Sequence, residues 1–249
     1  MTRAGSRGRG GAGPVEAVLV VVPAHDEEEL LPACLAAVRR AVDALAVARP
    51  RVRVVALVVL DGCTDTSAEV VRAAGLPAVT TDHGGVGRAR GAGVTAGLAL
   101  LGDRPPPERT WVACTDADSV VPEHWLVRQV ELADAGADVV VGTVRPPLED
   151  LSPDRAAAWR ARHVPGHANG HVHGANLGMR LAAYARAGGF APVDEHEDVR
   201  LVRDARRAGA RVVADAGAEV LTSARLVGRT PGGYARHLRE DLVPLDRPA

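Results

Sequence analysis

Val15–Val22 reads VEAVLVVV and Val52–Leu60 reads VRVVALVVL. Runs this rich in β-branched and aliphatic residues, with no regular polar alternation, suit strands buried on both faces, which belong in a parallel sheet covered by helices on either side. Between them, Leu30, Leu31, Leu35, Val38, Val42 and Leu45 recur at helical spacing over Glu27–Ala48, with acidic residues at the start, as the helix macrodipole prefers. The alternation continues with a helix over Ser67–Ala74, a strand at Ala78–Thr81, a helix over Gly87–Leu100, a strand at Trp111–Thr115, an amphipathic Glu123–Ala135 and a strand at Val139–Gly142. Strand and helix in turn imply right-handed crossovers. The expected architecture is an α/β domain with a central, mostly parallel sheet flanked by helices.

After RPPLEDLSPD the pattern loosens: a helix near Arg155–Arg162, a His- and Gly-rich stretch at His163–Gly174, a strand around Ala175–Met179, and helices near Leu181–Ala187 and Glu197–Ala208. Val212–Val213 and Glu219–Leu221 read as edge strands, and Gly232–Asp241 as a closing helix. This half completes the same domain, giving one unit over residues 15–249 with halves at about 15–145 and 146–249, preceded by a flexible tail over 1–14.

The chain carries 30 basic and 31 acidic side chains, and every basic one is Arg. That balance removes the electrostatic footprint of a nucleic-acid binder. No apolar run approaches the roughly 20 residues of a membrane span. Cys34, Cys63 and Cys114 are odd in number and widely spaced, and read as reduced thiols of a cytoplasmic protein.

In open α/β sheets ligands bind beyond the carboxyl ends of the strands, so the residues directly after each strand carry the information. Here those are Pro23, Ala24, Asp26 and Glu27, then Asp61, then Asp82–Arg90, then Asp116 and Asp118. Asp61 is placed to bond a base or ribose, and equally to form a turn or cap with Gly62. Asp116 and Asp118 flank Ala117; neighbouring carboxylates are costly to bury unless a cation or hydrogen-bond donors compensate, and a hard divalent ion on phosphates is the usual partner. Gly85, Gly87 and Gly91 give only a weak dinucleotide-type spacing, although a Gly-rich helix start with Arg88 and Arg90 suits phosphate. His163, His167, His171 and His173 are compatible with a metal site or a mobile loop facing an acceptor, and the Gly-rich spacing fixes no common face. Glu197 and Asp198 open a helix, where acids also serve the dipole.

Taken together, VVVPAHDEEELLPACLAAV, LDGCTDTSAEV, GVGRARGAGV, TDAD, GANLGMR and HEDVRLVRDARRAG resemble, in order and spacing, the family 2 glycosyltransferases of the GT-A, Rossmann-like fold. The resemblance spans about Val18 to Val213. It implies an inverting transfer from a nucleoside diphosphate sugar to a small-molecule or carrier-bound hydroxyl, with Mg²⁺ or Mn²⁺ as cofactor. It implies that Pro23–Glu27 and Asp61 hold base and ribose, that Arg90 approaches the diphosphate and that Asp116 contacts the ribose. Asp118 would bind the metal, Asn176 would lie on the acceptor side, and Asp198 would be the general base, with the adjacent Glu197 its rival. A His found in many members near Thr222 or Ser223 is missing, leaving Arg225 and Arg229 as alternative diphosphate clamps. The other readings are a sugar-phosphate nucleotidyltransferase, which the acidic PAHDEEE after the first strand disfavours, and a nucleotide-sugar-binding protein that has lost catalysis.

Overall fold

The apolar runs do form the centre of a sheet. The computed structural model describes residues 13–82, 84–193, 195–228 and 233–242. The chain runs β1 (Ala17–Ala24), α1 (Leu31–Ala48), β2 (Arg53–Asp61), α2 (Ser67–Ala74), β3 (Ala78–Thr81), α3 (Val86–Leu101), β4 (Thr110–Cys114), β5 (Ser119–Val120) and α4 (Trp125–Asp134). It continues with β6 (Val139–Arg145), α5 (Pro153–Arg162), β7 (Leu177–Arg180), α6 (Leu181–Arg186), α7 (Glu197–Arg207) and β8 (Val212–Thr222). The strands form one sheet in the order β3-β2-β1-β4-β7-β6-β8-β5. β3, β2, β1 and β4 pair in parallel, as do β6 and β8, but β7 runs antiparallel to both β4 and β6, and β5 antiparallel to β8. The expected parallel sheet holds for β1 to β4, and the whole is mixed.

Val18 to Val22 are at most 1% exposed, and they alternate between two cores. Val18, Val20 and Val22 pack in the layer of α1 and α4, and Leu19 and Val21 in the opposite layer of α3, α6 and α7. Burying each such side chain is worth about 1.5–3 kcal/mol, so both helix layers are anchored on one strand. α3 lies unusually close to the sheet because Gly93 and Gly97 face Val21, Val59, Leu19 and Leu57, where a Cβ would overlap those side chains. A smaller third core joins Leu151, Ala156 and Trp159 to Leu238 and Leu242 near the end of the chain.

Three expectations change in detail. α1 begins at Leu31, with Pro32 in its first turn and no acid there, so Glu27, Glu28 and Glu29 precede the helix and do not serve its dipole. The two expected edge strands are one continuous β8 that follows β6 past an irregularity between Gly142 and Val144. The closing helix is a short turn at Tyr234–Arg236 that widens over His237–Asp241, and Gly232 lies outside the described residues, as do residues 1–12 of the expected tail. Among the described residues no helix is long and apolar enough to cross a membrane. Cys34, Cys63 and Cys114 are all free.

The chain leaves β1 toward β2 and β3 on one side and returns to β4 on the other. Strand order reverses at β1, and the crevice beyond the carboxyl ends of β1, β2 and β4 is where an open α/β sheet binds ligands.

Candidate active site

A cleft of about 1230 Å³ occupies that crevice, lined by Pro23, Ala24, Glu27, Asp61, Arg90, Asp116, Asp118, Glu197, Asp198 and Arg225 among others. Of the residues singled out in the sequence, Asp26, Gly87, Gly91, His167 and Asn176 fall outside its lining, and Arg229 lies outside the described residues.

Asp26 knits the loops after β1 and β2. With φ 49° it accepts the Thr64 N–H at 2.7 Å and the Asp65 N–H at 3.2 Å, and these bonds, the Thr64 N–H foremost, hold its carboxyl below the usual range. The Glu28 carboxylate accepts the Thr66 N–H at 2.9 Å, and Asp65 accepts the Glu28 N–H at 2.9 Å. Asp26, Cys63 and Asp65 are the only three potential ligand groups that converge among the described residues. Their atoms are already committed to these turns, with the Cys63 thiol donating to the Ala24 carbonyl at 3.3 Å. The four clustered histidines form no such group.

Asp61, 4% exposed at the end of β2, accepts the Thr81 hydroxyl at 2.7 Å and the N–H groups of Gly84 and Gly85 at 2.9 and 3.1 Å. The turn-forming reading is therefore built in. The same bonds commit the N–H groups of Gly84 and Gly85, just before α3, to Asp61.

Arg90 projects from the first turns of α3 and is 3% exposed. Nη1 donates to Glu197 and Nη2 to Asp116. Gly174 passes so close to this guanidinium that a Cβ there would overlap it, and the Phe190 ring lies 5.9 Å from the guanidinium carbon. Arg90 thus lines the cleft as a buried bridge between the loop after β4 and α7, its two terminal nitrogens already given to carboxylates. Burial raises the Glu197 carboxyl against the opposing pull of Arg90. Asp198, the next residue, is half-buried on the cleft wall and accepts the Val199 N–H at 2.7 Å. Both acids follow His196, a non-glycine residue held at φ 59°; such strain concentrates at functional sites.

Asp118 and Glu27 meet on Arg225. Its Nη2 lies 2.7 Å from Asp118 Oδ2 and 2.7 Å from Glu27 Oε1, while Nη1 donates to Glu27 Oε2 at 3.0 Å. Burial, and then the nearby charge of Asp116, push the Asp118 carboxyl up to about 6, with Arg225 opposing. At the place of the missing His, the Thr222 hydroxyl accepts from Ser119 at 2.9 Å. An acidic pair whose charge is under-compensated, with hard oxygen donors facing a cleft, fits a divalent cation.

Asn176 requires a correction. Its carbonyl accepts the Trp125 indole N–H at 2.9 Å, and its amide donates to the Thr143 and Ala218 carbonyls at 2.9 and 2.8 Å. It is a 2%-exposed pin among α4, β6 and β8, and the cleft wall beside it is made by Gly174 and Ala175. Sequence reasoning also missed an aromatic wall: His163 stacks on Trp159 with centroids 3.9 Å apart, and His173 meets Tyr234 edge-on at 5.9 Å. Burial, then His171 and His237, hold His173 down to about 4, so it is neutral at pH 7. The clustered histidines, read as a stretch facing an acceptor, were the signal that pointed here, and Trp159 and Tyr234 are what that reading lacked.

The family model described as "Glycosyl transferase family 2" matches residues 19–184. Uncharacterized glycosyltransferases of Mycobacterium bovis and Mycobacterium tuberculosis are 35% identical over 131 residues, 53% of this chain and 50% of theirs. The chain thus spans about half the length of the curated relatives it matches. Among solved structures, a mannosyltransferase of Pyrobaculum calidifontis, in complex with GDP-Man and Mn²⁺, has a TM-score of 0.62 at 20% identity, with 92% of this chain and 62% of that one covered. Glucosyl-3-phosphoglycerate synthase of M. tuberculosis has a TM-score of 0.53 at 17% identity, covering 91% and 78%. At these identities the likeness is one of fold, and it matches the single α/β domain described above.

Proposed function

The chain belongs to glycosyl transferase family 2, and from that premise we propose that it catalyses inverting, divalent-metal-dependent transfer of a sugar from a nucleoside diphosphate sugar to a hydroxyl of a small-molecule or carrier-bound acceptor. The observation that carries the reading is the convergence of Asp116, Asp118 and Asp198 on one cleft, with the rival Glu197 withdrawn onto Arg90. Pro23 and Ala24 offer a wall for the base, and Asp116, steadied by Arg90, a partner for the ribose. Asp118 would hold Mg²⁺ or Mn²⁺. When bound, that ion offsets the charge growing on the departing nucleoside diphosphate.

Asp198 is the base. As the acceptor oxygen bonds to the anomeric carbon, the carbon–oxygen bond to the diphosphate breaks and the hydroxyl proton passes to the Asp198 carboxylate, a task that typically contributes 10²–10⁴-fold. Glu197 is a poor competitor because its charge is spent on Arg90 inside the protein. The aromatic wall of Trp159, His173 and Tyr234 presents neutral groups to the acceptor half of the cleft. The complexes of the mannosyltransferase with GDP-Man and Mn²⁺, and of the synthase with UDP and Mn²⁺, lend support by analogy of fold. The three free thiols accord with a cytoplasmic location.

Calorimetric titration of UDP and GDP with Mn²⁺ and with EDTA tests the reading. Tight binding only with the ion is expected, and equal affinity in both conditions removes Asp118 from a metal role.

A further inference from the structure

Arg225 stands at the seam between the main cleft and an acidic cavity of about 620 Å³ beside Asp26, Glu28 and Asp65. Its contacts are unequal. Glu27 grips it with both carboxylate oxygens, at 3.0 and 2.7 Å, whereas Asp118 makes a single bond at 2.7 Å to Nη2. Glu27 is itself fixed, 6% exposed with its N–H on Ser67 Oγ at 3.0 Å, while the Arg225 side chain is 29% exposed and follows the end of β8.

We propose that Arg225 is an internal counter-ion that occupies the cation-binding carboxylate of Asp118 in the donor-free protein and, pivoting on Glu27, releases it when cation and diphosphate arrive together. The inference rests on the reading of Asp118 as the cation ligand. A divalent ion arriving alone must strip a guanidinium from a mostly buried carboxylate and leave that positive charge without its second partner. An ion arriving with a diphosphate supplies the guanidinium with a new anion, a pairing that forked guanidinium donors suit. Arg225 therefore makes ion and nucleotide bind as a pair, and the coupling is a property of this one side chain.

The test is calorimetric titration of MnCl₂ alone into the full chain, for the wild type, Arg225→Gln, and Arg88→Gln as a control that removes one positive charge from the same cleft. Arg225→Gln is expected to bind Mn²⁺ alone roughly 5–150-fold more tightly than the wild type, the usual span of a coupling between sites. Arg88→Gln should stay within about twofold, since its charge acts only through screened solvent. Adding Asp118→Asn to Arg225→Gln should abolish the gain. Arg225→Lys keeps the charge without the fork and should fall between; it carries the test if thermal melting shows Arg225→Gln unfolded. The proposal is overturned if Arg225→Gln binds Mn²⁺ no more tightly than the wild type, or if Arg88→Gln gains as much. If nucleotide binding by the wild type still depends on Mn²⁺ in that case, the metal reading survives. If Mn²⁺ does nothing for UDP or GDP in the wild type, both fall.

Discussion

Glu197→Gln and Asp198→Asn, one residue apart and chemically alike, should fail in different ways. Glu197 and Arg90 have side chains 5% and 3% exposed and form a direct ion pair, so removing the carboxylate charge leaves a buried guanidinium with a single partner, the 35%-exposed Asp116. Breaking a buried pair costs about 3–5 kcal/mol. Because the Gln carbonyl still accepts from Nη1 and Asp116 remains, the low end applies, about 3 kcal/mol. For a domain of this size each kcal/mol lowers the melting temperature by about 2–4 °C, so Glu197→Gln should melt roughly 6–12 °C below the wild type. Asp198 is half-buried on the cleft and bonds only its neighbour's N–H among the described residues, so Asp198→Asn should melt within about 2 °C of wild type, as surface substitutions do. Donor affinity should be kept in Asp198→Asn while turnover falls by roughly 10²–10⁴. Scanning calorimetry and initial rates on each variant read both effects. Equal melting temperatures for Glu197→Gln and wild type would refute the buried pair, and transfer intact in Asp198→Asn but lost in a folded Glu197→Gln would reverse the assignment of the base.

Metal-dependent donor binding should weaken as pH falls through about 6, where Asp118 takes up a proton, and titrations of UDP with Mn²⁺ at pH 7.5 and about 5 check it. The same raised value means that folding binds a proton more tightly than the unfolded chain does, so this group's contribution to stability falls as pH rises from about 4 to about 6. His173, depressed to about 4, works in the opposite sense: stability present above about 6.5 is lost as pH falls toward 4, and His173→Phe should lose less on acidification in urea melts at the two ends of that window. A thiol reagent should count three cysteines in the denatured, unreduced protein but at most Cys63 in the native one, since Cys34 and Cys114 are buried. Asn176→Ala strands a Trp125 N–H and two carbonyls in the core, at about 1–3 kcal/mol for each unsatisfied group, and should show as a large fall in urea midpoint with no specific change in donor affinity once folded.

The part of the fold legible in the sequence is the part that one strand dictates. Five consecutive buried residues of β1 demand cover on both faces, and α1 and α3 supply it with apolar residues at helical spacing. β7 was legible as a strand but not in direction, because the four residues LGMR carry no periodicity that distinguishes parallel from antiparallel neighbours. At the site, residue types were legible and partners were not. Arg90 meets Glu197 across 107 positions and Arg225 meets Glu27 across 198, and in a chain whose 30 basic residues are all Arg nothing local marks these two. The roughly 100° between successive helical residues did not separate Glu197 from Asp198, since both line the cleft; what distinguishes them is the buried bond of Glu197 to Arg90. Asn176 misled because a G-x-N pattern fixes the residue type at the end of a loop but not whether its amide turns outward to a ligand or inward to orphaned carbonyls.

The proposed cation would answer an imbalance in how the cleft disposes of its own charges. Seven carboxylates and four guanidiniums line it among the described residues. Asp61 is balanced by dipoles, Asp116 and Glu197 share Arg90, and Glu27 and Asp118 share Arg225. Each of these two arginines thus serves two acids, and among the described residues Asp198 bonds a single backbone N–H, which suits the proposed role of base. A nucleoside diphosphate adds two or more negative charges to a site already short of positive ones. Arg90 cannot turn toward it without leaving Glu197 buried and unpaired, which leaves Arg225, the other cleft guanidiniums of Arg88 and Arg162, or an ion on Asp118 to compensate. On the proposal made above, Arg225 and that ion would each occupy the other's place on Asp118 until the diphosphate lets both stay.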